Sequence, residues 1–184
     1  MSQSLEVRYG RAAQAFHWVT ALLVLVAFVY GPGGPEQQVY AASNDFERQL
    51  HETLGLCVFA ITLSRLVWRN MDARPDPEPS PAWMRMASKA THVALYFLLF
   101  AVPVSAIAGA WLEGHSLTLL AGIQLQPRVT TSHELGANIA TVHTWLGEAI
   151  VWLAGLHALA AMCHHFILGD RVLALMLPRW IYRR

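Results

Sequence analysis

The sequence predicts an all-α protein, a transmembrane four-helix bundle. Of its 184 residues, 55% are hydrophobic and only 14% are charged, which is too apolar for an ordinary soluble domain. Four separate stretches also reach the roughly 20 apolar residues that a helix needs to cross a hydrocarbon core of about 30 Å. We place these spans at about 13–31, 48–68, 88–112 and 139–168, in a single membrane-embedded domain of residues 1–184.

The first span follows Arg8 and Arg11 and ends at the Gly and Pro residues of 31–35, which cannot continue a helix. No A-x-A-like cleavage site follows it, so we expect the span to be retained rather than removed as a signal peptide. The second span begins behind the Ser-Asn-Asp sequence of 43–45, whose residue types favour the N-cap position, and ends at the basic residue Arg69.

The second half of the chain contains two longer spans. The connection 74–81 has proline at every second position and is predicted to be extended and stiff. Pro103 in the middle of the third span predicts a kink, with the freed backbone groups satisfied by neighbours. In the loop 113–137 we expect a short interfacial helix at Leu117–Leu120. The fourth span is long enough to tilt or protrude.

Basic residues are distributed unequally between the two sides of the bundle. Eleven of the thirteen Lys and Arg residues lie in the termini, the 69–87 connection and the adjoining helix ends, whereas the other two loops hold Arg48 and Arg128. The positive-inside rule therefore predicts that both termini are cytoplasmic. The two opposite loops carry more acid than base, so an anionic substrate there would depend on these two arginines for attraction.

Four histidines within the spans are the candidate functional residues, because an ionisable side chain in hydrocarbon is costly without a partner. His17 and His157 lie toward the cytoplasmic side, and His51 and His143 toward the periplasmic side. Fourteen residues separate the two histidines of the fourth span, which is about 21 Å of rise on nearly the same helix face. The depths pair His51 with His143 and His17 with His157.

Two pairs of histidines at different depths predict two haem b groups stacked across the membrane. Ligation of iron by two histidines leaves no open position and suits electron transfer. Gly55 and Gly147 lie four residues after His51 and His143, one helical turn along the same face, where a missing side chain would let a flat macrocycle approach the backbone. We therefore predict both glycines as cofactor-binding residues and all four histidines as metal ligands.

Other polar residues have less specific positions. His92 is the main rival to His17 or His157 as a ligand, although a hydrogen-bonded contact with Tyr96 would also explain it. Glu148, between the two histidines of the fourth span, is interpreted either as a proton carrier to a quinone or as a neutral carboxyl that packs helices together.

The remaining four histidines are expected near the membrane boundaries. His164 and His165 are adjacent and cannot both face the core, so ordinary interfacial placement is expected for them. His115 and His133 fall in the loop 113–137, where we expect solvated side chains.

Several of these motifs together resemble the bacterial cytochrome b561 family of dihaem membrane proteins. The resemblance spans the whole chain and is most specific in its last block. The matching residues are Arg8-Tyr9, His17-Trp18, His51 with Gly55, Val142-His143, Gly155-Leu156-His157-Ala158-Leu159-Ala160-Ala161, His164-His165-Phe166, Asp170 and Pro178.

The resemblance implies an inner-membrane oxidoreductase with two b haems on the four histidines, which exchanges electrons with the ubiquinone pool. Members have been linked to oxidation of superoxide, so the donor would be a small molecule or a protein on the periplasmic side. Two alternatives remain: a cytochrome b subunit that anchors a separate dehydrogenase or hydrogenase, and a transporter or scaffold whose histidines bind no haem. The expected partners are the lipid bilayer and quinone and no nucleic acid, and the sequence leaves open whether two copies form a homodimer.

Overall fold

The computed structural model describes residues 8–33, 36–71 (Gln37 by its backbone only) and 80–177. The proline-rich connection lies almost entirely outside these ranges, as does Pro178. Four long helices account for most of the described chain, and each is long and apolar enough to cross a membrane. They are α1 (Arg11–Val29), α3 (Asp45–Arg69), α4 (Ala82–Glu113) and α5 (His133–Phe166); the short elements are α2 (Glu36–Val39), a 3-10 helix (Ala42–Asn44), β1 (Leu117–Thr118), β2 (Gln124–Leu125) and α6 (Val172–Met176).

These helices confirm the predicted four-helix bundle and differ in detail from the predicted spans. The helix α1 ends at Val29, before the glycine and proline residues, and α5 begins six residues earlier than the span 139–168 and ends at Phe166. Pro103 lies buried inside α4 without ending it. Asn44 is the N-cap residue of α3, but its side chain does not cap the helix and instead donates to the Gln38 carbonyl at 2.8 Å.

The bundle encloses a small apolar core and presents an apolar outer surface. The helix α4 packs most extensively on α5 and α1 on α3, and contacts of α3 with α4 and of α1 with α5 close the ring. Val58, Leu99 and Ile150 are buried at its centre, whereas Phe97 and Trp152 on the outside are 64% and 76% exposed. Such side chains require an apolar surrounding, which a bilayer provides.

The two ends of the bundle are built differently. We call the end formed by residues 30–33, 36–44 and 114–132 the loop end, and the opposite one the terminal end. At the terminal end, α6 docks on α1: the Gln14 amide donates to the Leu175 carbonyl at 3.0 Å, and the Trp18 indole donates to the Met176 carbonyl at 2.9 Å. These donors satisfy carbonyl groups that the end of a helix leaves without intrahelical partners.

A β-hairpin covers the loop end, and the prediction of a helix at Leu117–Leu120 is wrong. Leu117 pairs with Leu125 and Thr118 with Gln124. The turn is closed by a hydrogen bond from the Leu119 N–H to the Ile123 carbonyl, and it includes Gly122 at φ +73°, a left-handed conformation that glycine adopts without steric cost. This turn reverses the chain before a helical turn can form.

Side chains of α3 hold the hairpin in place. The Glu52 carboxylate accepts the backbone N–H of Thr118, and the Thr53 hydroxyl accepts that of Leu120 at 3.0 Å. The hairpin is therefore fixed to the helix that carries His51, immediately after this histidine in sequence.

Candidate cofactor sites

The structure brings His51 and His143 together near the loop end. Their ring centroids are 6.0 Å apart and their planes are inclined by 84°. A metal–imidazole bond is about 2 Å long, so two imidazoles on opposite sides of one ion have centroids roughly 6 Å apart. The observed separation therefore fits one metal ion between the two rings.

Backbone carbonyls orient both rings of this pair. His51 Nδ1 lies 2.7 Å from the Ala27 carbonyl oxygen in α1, and His143 Nδ1 lies 2.9 Å from the Val102 carbonyl oxygen in α4. A carbonyl can only accept, so each Nδ1 carries the proton and each Nε2 keeps a free lone pair. A hydrogen bond of this kind is the usual support of a metal-ligating histidine.

A largely apolar cavity adjoins this pair. Its polar side chains are those of the two histidines and Glu52, and the hairpin contributes Leu117, which is 5% exposed. The remaining walls are apolar and come from α1, α3, α4 and α5: Val24, Ala27, Phe28, Gly55, Leu56, Val58, Leu99, Val102, Pro103, Ala106, Ile107, Gly147, Ile150 and Val151.

Gly55 and Gly147 both line this cavity, each one helical turn after a predicted ligand, His51 or His143. A Cβ atom added to either glycine would meet no atom within 4 Å. Free space therefore extends to the backbone of α3 and α5, as the approach of a flat macrocycle requires. The residues present fit a haem group in this cavity.

The second pair, His17 and His157, lies toward the terminal end. Their ring centroids are 6.4 Å apart with an interplanar angle of 72°, close to the values of the first pair. The rival His92 also comes near, with its centroid 5.3 Å from that of His157. Arg65 interacts electrostatically with all three imidazoles. Three histidines therefore converge at this end, where the sequence analysis paired two.

The expected contact between His92 and Tyr96 is replaced by another. His92 Nδ1 lies 3.4 Å from the Ser88 hydroxyl, one turn earlier in α4. The Tyr96 ring instead lies under two guanidinium groups, 5.4 Å from Arg65 and 5.3 Å from Arg69. Tyr96 thus holds cations at the terminal end.

Two further polar positions differ from the sequence interpretation. Glu148 is exposed on the outer surface of α5, so its carboxyl does not pack helices together. His164 is half-buried and pairs through Nδ1 with the Asp170 carboxylate, and the His165 ring packs edge-on against Phe166.

The loop end also contains a polar network that the sequence analysis missed. The Arg48 guanidinium donates to Asp45 at 2.7 Å and to Glu52 at 3.1 Å, and it lies 5.3 Å from the centre of the Tyr40 ring. Burial raises the pKa of Tyr40, and the nearby negative charges of Glu52 and other carboxylates raise it further. Arg48 is therefore neutralised within the fold rather than free to attract an anion.

His115 is part of the same region and is not solvated as expected. Its ring stacks on that of Tyr40 with centroids 3.6 Å apart, and its Nε2 lies 2.6 Å from a Glu36 carboxylate oxygen. The sequence around His115 gave no signal of these contacts, because Tyr40 and Glu36 lie about 75 residues earlier in the chain.

Comparisons with known proteins agree with the predicted family. The profile of the prokaryotic cytochrome b561 family matches residues 8–179. "Cytochrome b561 homolog 2" of Escherichia coli (strain K12) is 30% identical over 173 residues, 94% of this chain and 92% of that protein. "Probable superoxide oxidase CybB" of Yersinia pestis is 26% identical over 94% of this chain and 97% of its own length. "Cytochrome b562" of Cereibacter sphaeroides is 29% identical over 95% and 98%, respectively.

These matches cover nearly the whole chain and all four long helices. They imply haem b as the cofactor. The chain is a multi-pass membrane protein that belongs to the prokaryotic cytochrome b561 family.

Proposed function

We propose that this protein is a dihaem b cytochrome of the bacterial inner membrane that transfers electrons from a periplasmic donor to ubiquinone. The proposal is carried by the four histidines, which meet in two pairs at two levels of one bundle. The ring centroids are 6.0 Å apart in the loop-end pair and 6.4 Å apart in the terminal-end pair. His51 and His143 would hold one haem, and His17 and His157 the other. Bound haem iron supplies reversible one-electron transfer without an open coordination position.

The side chains and backbone of the chain position and shield this chemistry. The carbonyls of Ala27 and Val102 hold the Nδ1 atoms of the loop-end pair, which would leave the Nε2 atoms to bind haem iron. The apolar cavity wall and the hairpin residue Leu117 exclude water from the site. A low dielectric would favour the less charged, reduced state of the bound haem. The exclusion of water would restrict its reactions to electron transfer.

The proposed orientation follows from charge. The excess of Lys and Arg at the terminal end supports a cytoplasmic location for that end and a periplasmic one for the loop end. Electrons would then enter at His51 and His143 and move inward toward His17 and His157. Ubiquinone takes up two electrons and two protons to become ubiquinol.

Superoxide is the proposed donor, and the relative named as a probable superoxide oxidase supports this choice. Two superoxide anions would each give up one electron and leave as O₂, which matches the two electrons that one ubiquinone accepts. Arg48 is paired with Asp45 and Glu52, whereas Arg128 is exposed on the loop that contains the hairpin. Arg128 is therefore the better placed of the two arginines to attract the anion.

Ligation is tested by the reduced-minus-oxidised visible spectrum of the purified protein, with haem quantified per chain. The wild type is expected to carry two b haems, and each of the variants His51→Ala, His143→Ala, His17→Ala and His157→Ala to lose one of them. His92→Ala is the matched control, since the His92 ring lies 5.3 Å from that of His157, and it should keep both haems. Loss of haem in His92→Ala, or one haem in the wild type, would contradict the pairing.

The donor is tested separately with the haem-loaded protein and a ubiquinone analogue. Superoxide from an enzymatic source should reduce the haem and then the quinone, and Arg128→Gln should lower the rate at low ionic strength more than at high ionic strength. The steering role would be ruled out if the wild-type rate did not change with ionic strength and Arg128→Gln had the wild-type rate. Copurification of a dehydrogenase or hydrogenase subunit would instead favour the anchor-subunit alternative.

A further inference from the structure

Three potential metal ligands meet at the loop end, outside both histidine pairs. Glu36 lies in α2, Glu113 is the last residue of α4, and His115 follows two residues later. One ligand atom from each residue lies within 4.8 Å of those from the other two. The cluster thus joins the connection between α1 and α3 to the end of α4 and the start of the hairpin.

The Glu113 carboxylate is in an unfavourable position without a cation. The residue is 8% exposed, and no hydrogen-bond donor to its carboxylate is recorded among the described residues. Its neighbours include a second carboxylate, that of Glu36. The imidazoles of His115 and His133 also lie near this carboxylate and partly offset the repulsion. A carboxylate in a largely buried residue beside a second negative charge is stabilised by a cation.

The imidazole of His115 is held in place for ligation. Its Nε2 is the atom that faces Glu36 at 2.6 Å, and its ring is stacked on Tyr40 at an interplanar angle of 19°. The stacking restricts rotation of the imidazole and keeps Nε2 directed at the two carboxylates. A metal ion at this position would take the place of the proton between His115 and Glu36.

We propose that Glu36, Glu113 and His115 form a binding site for a divalent transition-metal ion of the Zn²⁺ type. One imidazole nitrogen and two carboxylate oxygens are a ligand set that Zn²⁺ accepts, with water in the fourth position. Mg²⁺ and Ca²⁺ prefer oxygen ligands alone, so the imidazole favours Zn²⁺ over them. The two carboxylates neutralise the ion, and the ion separates their two negative charges.

Such an ion would fasten three separate segments over the first cofactor cavity. It would connect α2 with the end of α4 through Glu36 and Glu113, and with the approach to the hairpin through His115. The ion would also reduce the negative charge of the face on which the proposed anionic donor arrives. This site is independent of haem ligation and of the identity of the donor.

Metal binding is measured directly on the purified haem-loaded protein. After removal of metal with a chelator, the protein is dialysed against a low-micromolar Zn²⁺ buffer, and zinc per chain is determined by mass spectrometry. The wild type is expected to bind one Zn²⁺, with affinity reduced at least about tenfold in His115→Ala and Glu113→Gln. Glu47→Gln, at an exposed position of the loop end, and His164→Ala, at the terminal end, are matched controls that should bind as the wild type does.

A second readout separates metal binding from misfolding. Zn²⁺ should raise the thermal unfolding midpoint of the wild type and of the controls, and leave that of His115→Ala unchanged while its haem spectrum remains normal. If His115→Ala loses haem, Glu36→Gln at an exposed position provides the same comparison. Wild-type protein that binds no zinc, or full binding in both Glu113→Gln and His115→Ala, would overturn the proposal.

Discussion

His51 Nδ1 in α3 lies 2.7 Å from the carbonyl oxygen of Ala27 in α1. Gly31 leaves room for this contact: a Cβ atom at this position would lie 3.2 Å from His51 Nδ1. One hydrogen bond between two helices thus orients a proposed ligand, and a glycine just beyond the end of α1 permits it.

Replacement of Gly31 should disturb the loop-end haem alone. In Gly31→Ala, the added methyl group presses on the His51 ring, and overpacking of this kind costs about 1–3 kcal/mol. A redox titration followed by visible absorbance should show a shifted potential for one of two components. Gly33→Ala is the control, because a Cβ there meets nothing within 4 Å. If Gly31→Ala and Gly33→Ala had the same two reduction potentials, Gly31 would have no role in placing the His51 ring.

Large side chains at Gly55 and Gly147 should exclude haem from the loop-end cavity. Gly55→Leu and Gly147→Leu each direct a side chain into space that now reaches the helix backbone. Haem per chain is expected to fall from about two to about one, as measured by pyridine haemochrome absorbance. Gly155→Leu is the matched control, since its Cβ also meets nothing within 4 Å but the residue does not line the cavity. Two haems in both cavity variants would show that the macrocycle does not lie against these glycines.

Loss of the Thr53 hydroxyl should loosen the hairpin. Thr53→Val keeps the side-chain shape but removes the acceptor of the Leu120 N–H. A neutral hydrogen bond contributes about 0.5–1.5 kcal/mol, so the hairpin should be cleaved roughly two- to tenfold faster in limited proteolysis. Thr141→Val is the control, because its hydroxyl donates only within α5, to the Ala137 carbonyl. Unchanged cleavage would mean that Glu52 and the strand pairing alone hold the hairpin.

Loss of the Trp18 indole N–H should release α6 from α1. Trp18→Phe retains an aromatic ring and removes the donor to the Met176 carbonyl. Amide hydrogen exchange in 172–176 should become roughly three- to tenfold faster, in line with a contribution of about 1 kcal/mol. Trp152→Phe, at a 76% exposed position on the outer surface, should leave this exchange unchanged. Equal exchange in both variants would assign the docking of α6 to Gln14 and Arg8 instead.

The helices and the histidine pairs could be predicted because long apolar stretches and helical periodicity are local signals. The depth of His51 and His143, read from their distance to the span ends, was enough to predict that they meet. The ambiguity at the terminal end arose for the same reason: His92 has a depth similar to that of His17, and depth alone does not give the helix face that each presents.

The contacts that orient the rings could not be predicted, because their acceptors are backbone carbonyls. Any residue at positions 27 and 102 offers a carbonyl, so Ala27 and Val102 carry no sequence signal. The hairpin was missed because its two strands are two residues each, too short for a pattern of alternating apolar residues. Glycine is common in turns, but the left-handed conformation of Gly122 depends on the pairing that surrounds it.

One continuous helix, α5, contributes an imidazole to each pair. Because fourteen residues of unbroken helix join His143 and His157, their spacing is fixed by backbone hydrogen bonds and not by packing between helices. Thermal motion that tilts or slides the bundle helices moves both imidazoles together. The distance between the two proposed haem sites is therefore set by the length of helix between His143 and His157. The other two proposed ligands, His17 on α1 and His51 on α3, can each adjust to their own site.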